Sequence, residues 1–486
     1  MIMGRGTWTG RRVCVTGVAV SGGAAARVLA ALGAEVTVID GFAGQLQQER
    51  ADALRRDGVT VLLGEAGARL PAGIDLVVTS PGWRPEQPLL VAAAAAGVPV
   101  WGEVELAWRL RNPSVPWLGV TGTNGKTTTV QMLEAMLIAS GVRAVAAGNV
   151  GLPLVDVVTA DPPYDVIAVE VSSFQLHWTS TVEFAAAALL NVAPDHLDWH
   201  GSLEAYAADK ALAWRGQGTV VVNDDDVATR ALAASVSPVA QGRTVRGFTL
   251  GAPGPGQLGV RDGWLVDSDE AHTPLAEVAD VRPAAPHNVA NALAAAALAR
   301  AYGVAAVAVR DGLRAFQAGG HRIALVATAE GVDYVDDSKA TNPHAAAASL
   351  QAFDRVVWIA GGLAKGATFD DLVQQTSARL RGVVLMGVDR GLIAQALARH
   401  APDVPVVDVA GTDTGTMDDV VRAAAALARP GDTVLLAPAC ASMDMFRDYA
   451  ARGDAFAAAA RSLPAGPENA PARPTDRTRT DGGPVG

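Results

Sequence analysis

The run GVTGTNGKTTT at residues 119–129 constrains the fold more than any other stretch of the chain. Residues 116–121 read as a strand, 122–125 as a tight turn, and the following VQMLEAMLIAS as part of a helix that begins near Lys126. A turn placed between strand and helix in this way aims several backbone N–H groups and the positive helix end at one anion. Lys126 then reaches the outer oxygens of a polyphosphate, and Thr127 can offer a hydroxyl to magnesium. The strict spacing of a phosphate loop puts its first glycine at residue 120, where this chain carries Val120, with Gly119 and Gly122 on either side. The dense set Gly122, Thr123, Asn124, Gly125, Lys126, Thr127 and Thr128 still supports a nucleoside-triphosphate loop.

A chain of 486 residues suggests about three domains of roughly 150 residues each, and half of its residues are apolar, enough for sizeable cores. The net charge of -11, from 39 basic and 50 acidic side chains, opposes a general attraction to nucleic acid or to an anionic membrane. Cys14 and Cys440 stand far apart without metal-ligand spacing, so neither a disulfide framework nor a cysteine-zinc site is expected, and the chain reads as cytoplasmic. Its start runs directly into a strand, and no apolar run reaches the length of a membrane span. Residues 464–486, rich in Pro, Gly and Thr, lack the apolar side chains of a core and read as a disordered tail.

Strand and helix alternate from the start. RRVCVTGVAVSGGAAARVLAALGAEVTVID reads as a strand ending at Thr16, a glycine turn, an alanine-rich helix to about Leu32 and a strand ending in Asp40. This order is that of a dinucleotide-binding unit with Ala19 in the second-glycine place, or of a parallel α/β unit that binds nothing. It opens a first domain over 1–112, followed by the proline-bearing linker RNPSVPW. A central nucleotide domain is expected over 113–315, with a small stranded insertion near 243–270.

A triphosphate site also needs a metal carboxylate on a neighbouring strand. YDVIAVEVSSFQL delivers Glu170 at the end of an apolar strand, where a carboxylate is costly unless paired or metal-bound, and then Ser172, Ser173 and Gln175. The next strand ends at Asn191 and enters a loop with Asp195, His196, Asp198 and His200. His196 is read as a metal ligand or an orienting group, and Asp198 and His200 as solvated loop residues. Ser202 is a suitable N-cap, and Tyr206 and Lys210 lie one turn apart on the helix it opens. Composition alone leaves Lys210 facing solvent. Asn149 could touch a substrate or make an Asx turn. His287, Asn288 and Asn291 could reach a nucleotide from their helix, or be buried there as caps and packing groups.

The third domain, 316–463, opens with two short strands meeting at Glu330 and Gly331, the second releasing the run DDSKATN that contains Lys339 and Thr341. RVVWIAGG, GVVLMG and DTVLLAPA alternate with helices, so a parallel α/β sheet is expected. Lys365 follows one strand exit; Ser442 follows another and is expected to precede a helix, offering hydroxyl and backbone donors. Together they could clamp a carboxylate, and separately each is an ordinary loop charge or cap. Three binding modules suit a reaction that joins two molecules, with phosphate as the activating group.

GVTGTNGKTT, VEVSSFQL, NVAPDHLDWHGSLEAYAADK, HNVANALAA, GGHR, DDSKATNP and APACASMDMF closely resemble the Mur ligases, and among them the D-glutamate-adding member. The resemblance spans about residues 11–460. It implies a three-domain α/β architecture: an N-terminal Rossmann-like domain, a central P-loop ATPase-like domain and a C-terminal Rossmann-like domain. It implies ATP and magnesium, as two ions, with UDP-N-acetylmuramoyl-L-alanine and D-glutamate as substrates; the charge and hydropathy above lead to the expectation of no nucleic acid and no membrane insertion, and a monomer is the default. By the same resemblance Glu170, His196 and Lys210 match magnesium-site positions, with Thr127, and Lys210 matches a lysine that carbon dioxide carbamylates. Asn149 and His321 match positions near substrate or nucleotide, Lys339 and Thr341 the joining region, and Lys365, Ser442 and Tyr449 the D-glutamate pocket. A related Mur or folylpolyglutamate-type ligase that adds another amino acid is the alternative.

Overall fold

The computed structural model describes residues 7–64, 69–236, 242–269, 272–317, 319–411 and 413–463; the tail read as disordered lies outside them. The chain divides into two compact units, residues 1–319 and 320–486. The first unit holds two sheets, the second one.

Strands β1 (Arg12–Thr16), β2 (Glu35–Asp40), β3 (Thr60–Leu63), β4 (Leu76–Thr79) and β5 (Val100–Gly102) form a parallel sheet in the order β3-β2-β1-β4-β5. Val13, Cys14 and Val15 are fully buried, as a central strand covered on both faces requires. The turn after β1 depends on glycine despite Ala19: Gly17 has φ +86°, and a Cβ on Gly22 would stand 2.0 Å from the Gly17 carbonyl oxygen. Asp40, at the end of β2, accepts from the Val18 N–H at 3.0 Å and closes this turn.

The second sheet has nine strands. These are β6 (Trp117–Thr121), β7 (Ala144–Gly148), β8 (Val166–Glu170), β9 (Ala186–Leu189), β10 (Thr219–Asn223), β11 (Val245–Phe248), β12 (Gln257–Arg261), β13 (Trp264–Asp267) and β14 (Thr273–Glu277). Their order is β14-β13-β12-β11-β10-β9-β6-β8-β7. The segment read as an insertion is thus part of the sheet: β11 pairs parallel with β10, and β12 to β14 continue the same edge, with β13 antiparallel to both its neighbours. Pairing satisfies the backbone groups that a detached hairpin would leave at an open edge.

Alanine has a packing role beneath this sheet. In the helix Pro286–Tyr302, residues 292–299 are all 0% exposed, six of them alanine, so the helix is buried on every side. The helix Ala306–Ala315 approaches the helix Lys126–Ala139 closely enough that a Cβ on Gly312 would lie 2.5 Å from the Met136 Cα.

The second unit contains β15 (Ala324–Ala329), β16 (Val332–Asp336), β17 (Val356–Gly361), β18 (Leu380–Met386), β19 (Val406–Asp408) and β20 (Thr433–Leu436), in the order β15-β16-β20-β17-β18-β19. It departs from the expected parallel sheet at β15, which is antiparallel to β16. Glu330 and Gly331, at φ 51° and 73°, make the two-residue left-handed turn that a tight hairpin favours.

Two buried glutamates of the helix Glu103–Leu110 join the first sheet's layer to the second's. Glu105 accepts from the N–H groups of Ser180 and Thr181 at 2.8 and 3.0 Å, and from Arg109 Nε at 2.8 Å. Burial pushes its carboxyl up, but the hydrogen bonds from Thr181 and Ser180 outweigh that and hold it below the usual range. Glu103 accepts from Val155 N–H at 2.8 Å, and burial outweighs its backbone hydrogen bonds and pushes its carboxyl up to about 7. A carboxyl raised on folding stabilises below its unfolded pKa, and that contribution is lost as pH rises through 7. Glu103→Gln keeps the acceptor and removes the titration. It is therefore expected to match the wild type near pH 5 and to exceed it by about 1–3 kcal/mol near pH 8.5 in denaturant melts; lower stability than wild type at pH 8.5 would contradict this account of Glu103.

Candidate active site

The helix Lys126–Ala139 starts where the sequence places it. Gly125, its N-cap, has φ +84°, and a Cβ there would lie 2.3 Å from Asn291 Oδ1. Gly122 has φ +151°, with Leu190 Cβ at 3.0 Å from such an added atom. Val120 is a fully buried residue of β6, so the turn needs no glycine there; Gly119 makes room for the Phe184 ring.

The turn is held by residues that the sequence reading did not assign. Asn124 N–H donates to Asn191 Oδ1 at 2.8 Å, Asn191 Nδ2 donates back to the Asn124 carbonyl at 3.1 Å, and Thr123 N–H reaches the Asn191 carbonyl at 3.0 Å. The Thr123 and Tyr206 hydroxyls are 3.1 Å apart. Asparagine at a strand exit was the available signal. Asn288 and Asn291 are buried at the base of their helix, with Asn291 against the loop and Asn288 Nδ2 donating to the Pro283 carbonyl at 3.2 Å. Burial pushes neighbouring His287 down to about 4.

Lys126 Nζ donates to the carbonyls of Gly122 and Thr123 at 2.8 and 2.9 Å. Lys210 Nζ donates to the same Gly122 carbonyl at 2.9 Å. Lys210 is 1% exposed, which overturns the solvent-facing reading from composition: Tyr206, one turn earlier, lays its ring 4.4 Å from the Nζ and helps to seal the site. Burial and then the charge of Lys126 drive the Lys210 ammonium well below its ordinary pKa.

Glu170 ends β8 at 1% exposure. Its Oε1 accepts from Asn149 Nδ2 at 2.7 Å, while its Oε2 is buried with no hydrogen-bond partner. Asn149, left open between a substrate contact and a turn, thus orients this carboxylate, and its own N–H donates to the Glu170 carbonyl at 2.9 Å. His196, in the left-handed region at φ 53°, lies against the Phe174 ring at 4.8 Å and near Asp195 at 3.6 Å. Thr127 is half-buried and Thr128 buried in the first helical turn. Among the described residues no three His, Cys, Asp or Glu side chains gather as a metal cluster. The orphan oxygen of Glu170 nevertheless fits a divalent cation bound together with phosphate oxygens, since a buried carboxylate oxygen without a donor is costly.

His200 is also corrected. Its side chain is 1% exposed, not solvated: Nε2 meets Ser173 Oγ at 3.0 Å, and Nδ1 meets Asp209 Oδ2 at 3.0 Å, an oxygen shared with His177 Nδ1. This chain ties the segment after Glu170 to the residue before Lys210. Asp198 is exposed as read and pairs with Arg84 at 2.7 Å.

In the second unit, the loops after β16, β17 and β20 are stitched together. Ala439 N–H donates to the Ala340 carbonyl at 2.9 Å, and Leu363 exchanges hydrogen bonds with Ala441 at 2.9 and 3.0 Å. Lys339, Thr341, Lys365 and Ser442 are thereby drawn to one end of this sheet. Lys365 and Ala439 both hold positive φ, 51° and 59°, a strained backbone that the pairing maintains. Lys339 Nζ lies 3.8 Å from the centre of the Tyr449 ring, and His321 Nδ1 meets Asp336 Oδ2 at 2.6 Å. Ser442 does not open a helix: its carbonyl accepts from the Met445 and Phe446 N–H groups in a turn, and the helix Tyr449–Arg461 starts later, capped by Asp448. Asp337 is pushed up to about 6 by burial despite a hydrogen bond from Ser349.

Three family models match the chain: a Mur ligase MurD-like N-terminal domain over 11–102, a Mur ligase middle domain over 120–299 and a Mur ligase glutamate ligase domain over 321–440. The UDP-N-acetylmuramoylalanine--D-glutamate ligase of Streptomyces avermitilis is 60% identical over 464 residues, covering 94% of this chain and 99% of that protein. The chain belongs to the Mur ligase family. The ligase of the same name from Thermobifida fusca is 61% identical over 463 residues, 93% of this chain and 99% of that one. Among solved structures, UDP-N-acetylmuramate-alanine ligase MurC from Thermotoga maritima aligns with a TM-score of 0.58 at 19% identity, over 93% of this chain and 99% of that chain. MurF from Acinetobacter baumannii aligns at 0.56 and 18%, over 82% and 86%. The three-domain architecture of this family is the fold of the chain.

The glycine at 125 gives the phosphate loop of this Mur ligase a specific test. Gly125→Ala places a side chain at φ +84° and drives it into Asn291, so the loop must shift. ATP affinity measured by calorimetry is expected to fall at least about tenfold, a loss of about 1.4 kcal/mol in binding; unchanged ATP affinity would remove residues 122–128 from the nucleotide site.

Proposed function

We propose that this Mur ligase joins D-glutamate to UDP-N-acetylmuramoyl-L-alanine with ATP, through an acyl phosphate. The observation that carries this reading is the convergence of Lys126 and Lys210 on the Gly122 carbonyl, at the foot of a helix whose N-terminus opens on a glycine turn. The names of relatives at about 60% identity supply the substrates.

In the first step an oxygen of the alanyl carboxylate attacks the γ-phosphorus, the new C–O–P linkage forms, and the bond to the β-phosphate oxygen breaks to release ADP. Backbone N–H groups of 122–128 and the Lys126 ammonium take up the negative charge on the phosphate oxygens. Glu170, Thr127, His196 and a carbamylated Lys210 would hold magnesium, as two ions, which supplies further charge neutralisation. In the second step the D-glutamate nitrogen attacks the acyl carbon, loses a proton, and the C–O bond to phosphate breaks. Thr341, Ser442, Lys339 and Lys365 offer hydroxyls and positive charge that suit a dicarboxylate amino acid, with Tyr449 and His321 framing the pocket. Asn288 and Asn291 back the nucleotide loop. Among the described residues no helix is long and apolar enough to cross a membrane, and ATP chemistry on a nucleotide-linked sugar suits the cytoplasm.

The reading of Lys210 follows from its burial. Only a neutral amine attacks carbon dioxide, and the site drives Lys210 toward that form. With labelled bicarbonate, carbon NMR is expected to show a carbamate signal in the wild type and none in Lys210→Ala, which should lose activity by at least about a hundredfold; an identical signal in the variant would assign the carbamate elsewhere.

The whole reading is tested by incubating the purified chain with ATP, magnesium, UDP-N-acetylmuramoyl-L-alanine and a panel of amino acids, and following product by mass. Product with D-glutamate, and ADP and phosphate in equal amounts, is expected. Product with another amino acid only would move the chain to a different Mur or folylpolyglutamate-type reaction, and no ATP-dependent product would end the proposal.

A further inference from the structure

We infer that Arg452 is a positioning residue for the amino-acid pocket: it ties the 337–342 loop to the 439–442 loop and so sets the spacing of the groups that receive D-glutamate. The inference rests on the pocket assignment proposed above. Arg452 lies in the first turn of the helix Tyr449–Arg461 and is 1% exposed. Its Nε donates to Ser338 Oγ at 2.9 Å, its Nη2 to the Ser338 carbonyl at 2.8 Å and its Nη1 to the Cys440 carbonyl at 3.1 Å. None of these acceptors is a carboxylate. Burial pushes the guanidinium down to about 10, with only Coulombic support from Cys440, Asp444 and Asp336, so it stays charged at neutral pH.

A buried cation that spends its donors on two loops is an expensive way to fill space, and an apolar side chain would fill it without the desolvation cost. What the guanidinium adds is geometry. Its planar fork fixes three donor directions at once, which a lysine cannot do. Ser338, the residue it grips, is held from a second side, because its Oγ lies 2.7 Å from the Tyr449 carbonyl. Lys339 follows Ser338 directly and Thr341 follows it by three residues, and Ser442 follows Cys440 by two. The helix bearing Arg452 is seated as tightly: a Cβ on Gly453 would lie 2.1 Å from His321 Nδ1 and 2.6 Å from Asp336 Oδ2. Arg452 therefore links both loops to a fixed helix and places a positive charge behind a pocket for a dicarboxylate.

The test compares Arg452→Lys, Arg452→Met and Ser338→Ala in the full chain, with steady-state kinetics for each substrate and a thermal melt for each variant. Arg452→Lys keeps the charge and loses the fork, and the KM for D-glutamate is expected to rise at least about tenfold while those for ATP and the UDP-substrate stay within about twofold. Arg452→Met should raise it further, and Ser338→Ala, the mildest change, severalfold. A purely structural role would lower the melting temperature and kcat without this selective shift. A D-glutamate KM within about twofold of wild type in every folded variant, or equal rises for all three substrates, overturns the inference. Absent turnover in the wild type counts against the parent reading as well, whereas turnover with an unshifted KM counts against Arg452 alone.

Discussion

The Gly122 carbonyl oxygen accepts hydrogen bonds from two lysines, and the rest of the central site is arranged around that fact. Their nitrogens cannot be more than about 6 Å apart, where two full charges repel by roughly 3 kcal/mol at an effective dielectric constant of about 20. Lys126 is half-buried and Lys210 sealed, so burial and this repulsion together push the Lys210 ammonium well below its ordinary pKa. In the proposed mechanism one lysine brings positive charge to phosphate, and the other is the amine that carbon dioxide converts into an anion. Two identical side chains are set in different electrostatic surroundings by unequal burial and by each other's charge.

The supports of this arrangement lie outside the motif. Asn191 fixes the turn from the next strand, Tyr206 covers Lys210, and the series Ser173, His200, Asp209 and His177 couples the exit of β8 to the helix that carries Lys210. The arrangement of Ser173, His200 and Asp209 resembles a hydrolytic triad in its distances. Ser173 is 2% exposed and the His200 side chain 1%, so no substrate carbonyl reaches the serine, and the hydrogen bonds serve to hold two segments together. Burial pushes His200 down despite Asp209, so the ring is a neutral bridge with one donor and one acceptor.

The features legible in the sequence were those written locally. The strand, glycine turn and helix around Lys126, the glutamate at the end of β8, and the left-handed hairpin at Glu330 and Gly331 each depend on residues within a few positions of one another. What was not legible depends on long-range contacts. Lys210 and Gly122 are 88 residues apart, and Arg452 and Ser338 are 114 apart. A lysine on a helix or an arginine after two alanines carries no local sign of burial. The segment of β11 to β14 was legible as strands, but not its place at the sheet edge: its glycines and prolines signal turns, whereas pairing with β10 is decided across the sheet. Ser442 was read as a helix start because a serine before a helical run is a common cap, yet Asp448 is the cap and the intervening residues form a turn.

The resemblance to a family supplied what physical reading of the residues could not, and Lys210 shows the difference. Composition placed it in solvent, the family likeness placed it at a metal, and the burial now adds a physical fact that neither contained: a lysine held dry beside another cation has its ammonium form disfavoured. The amino-acid pocket proposed for the second unit follows a related logic with the opposite outcome. Arg452 is also buried and also lacks a carboxylate hydrogen-bond partner, but a guanidinium starts from a higher pKa than an ammonium and burial brings it down only to about 10. Lysine suits a site that needs a convertible charge, and arginine suits one that needs a permanent charge with fixed directions.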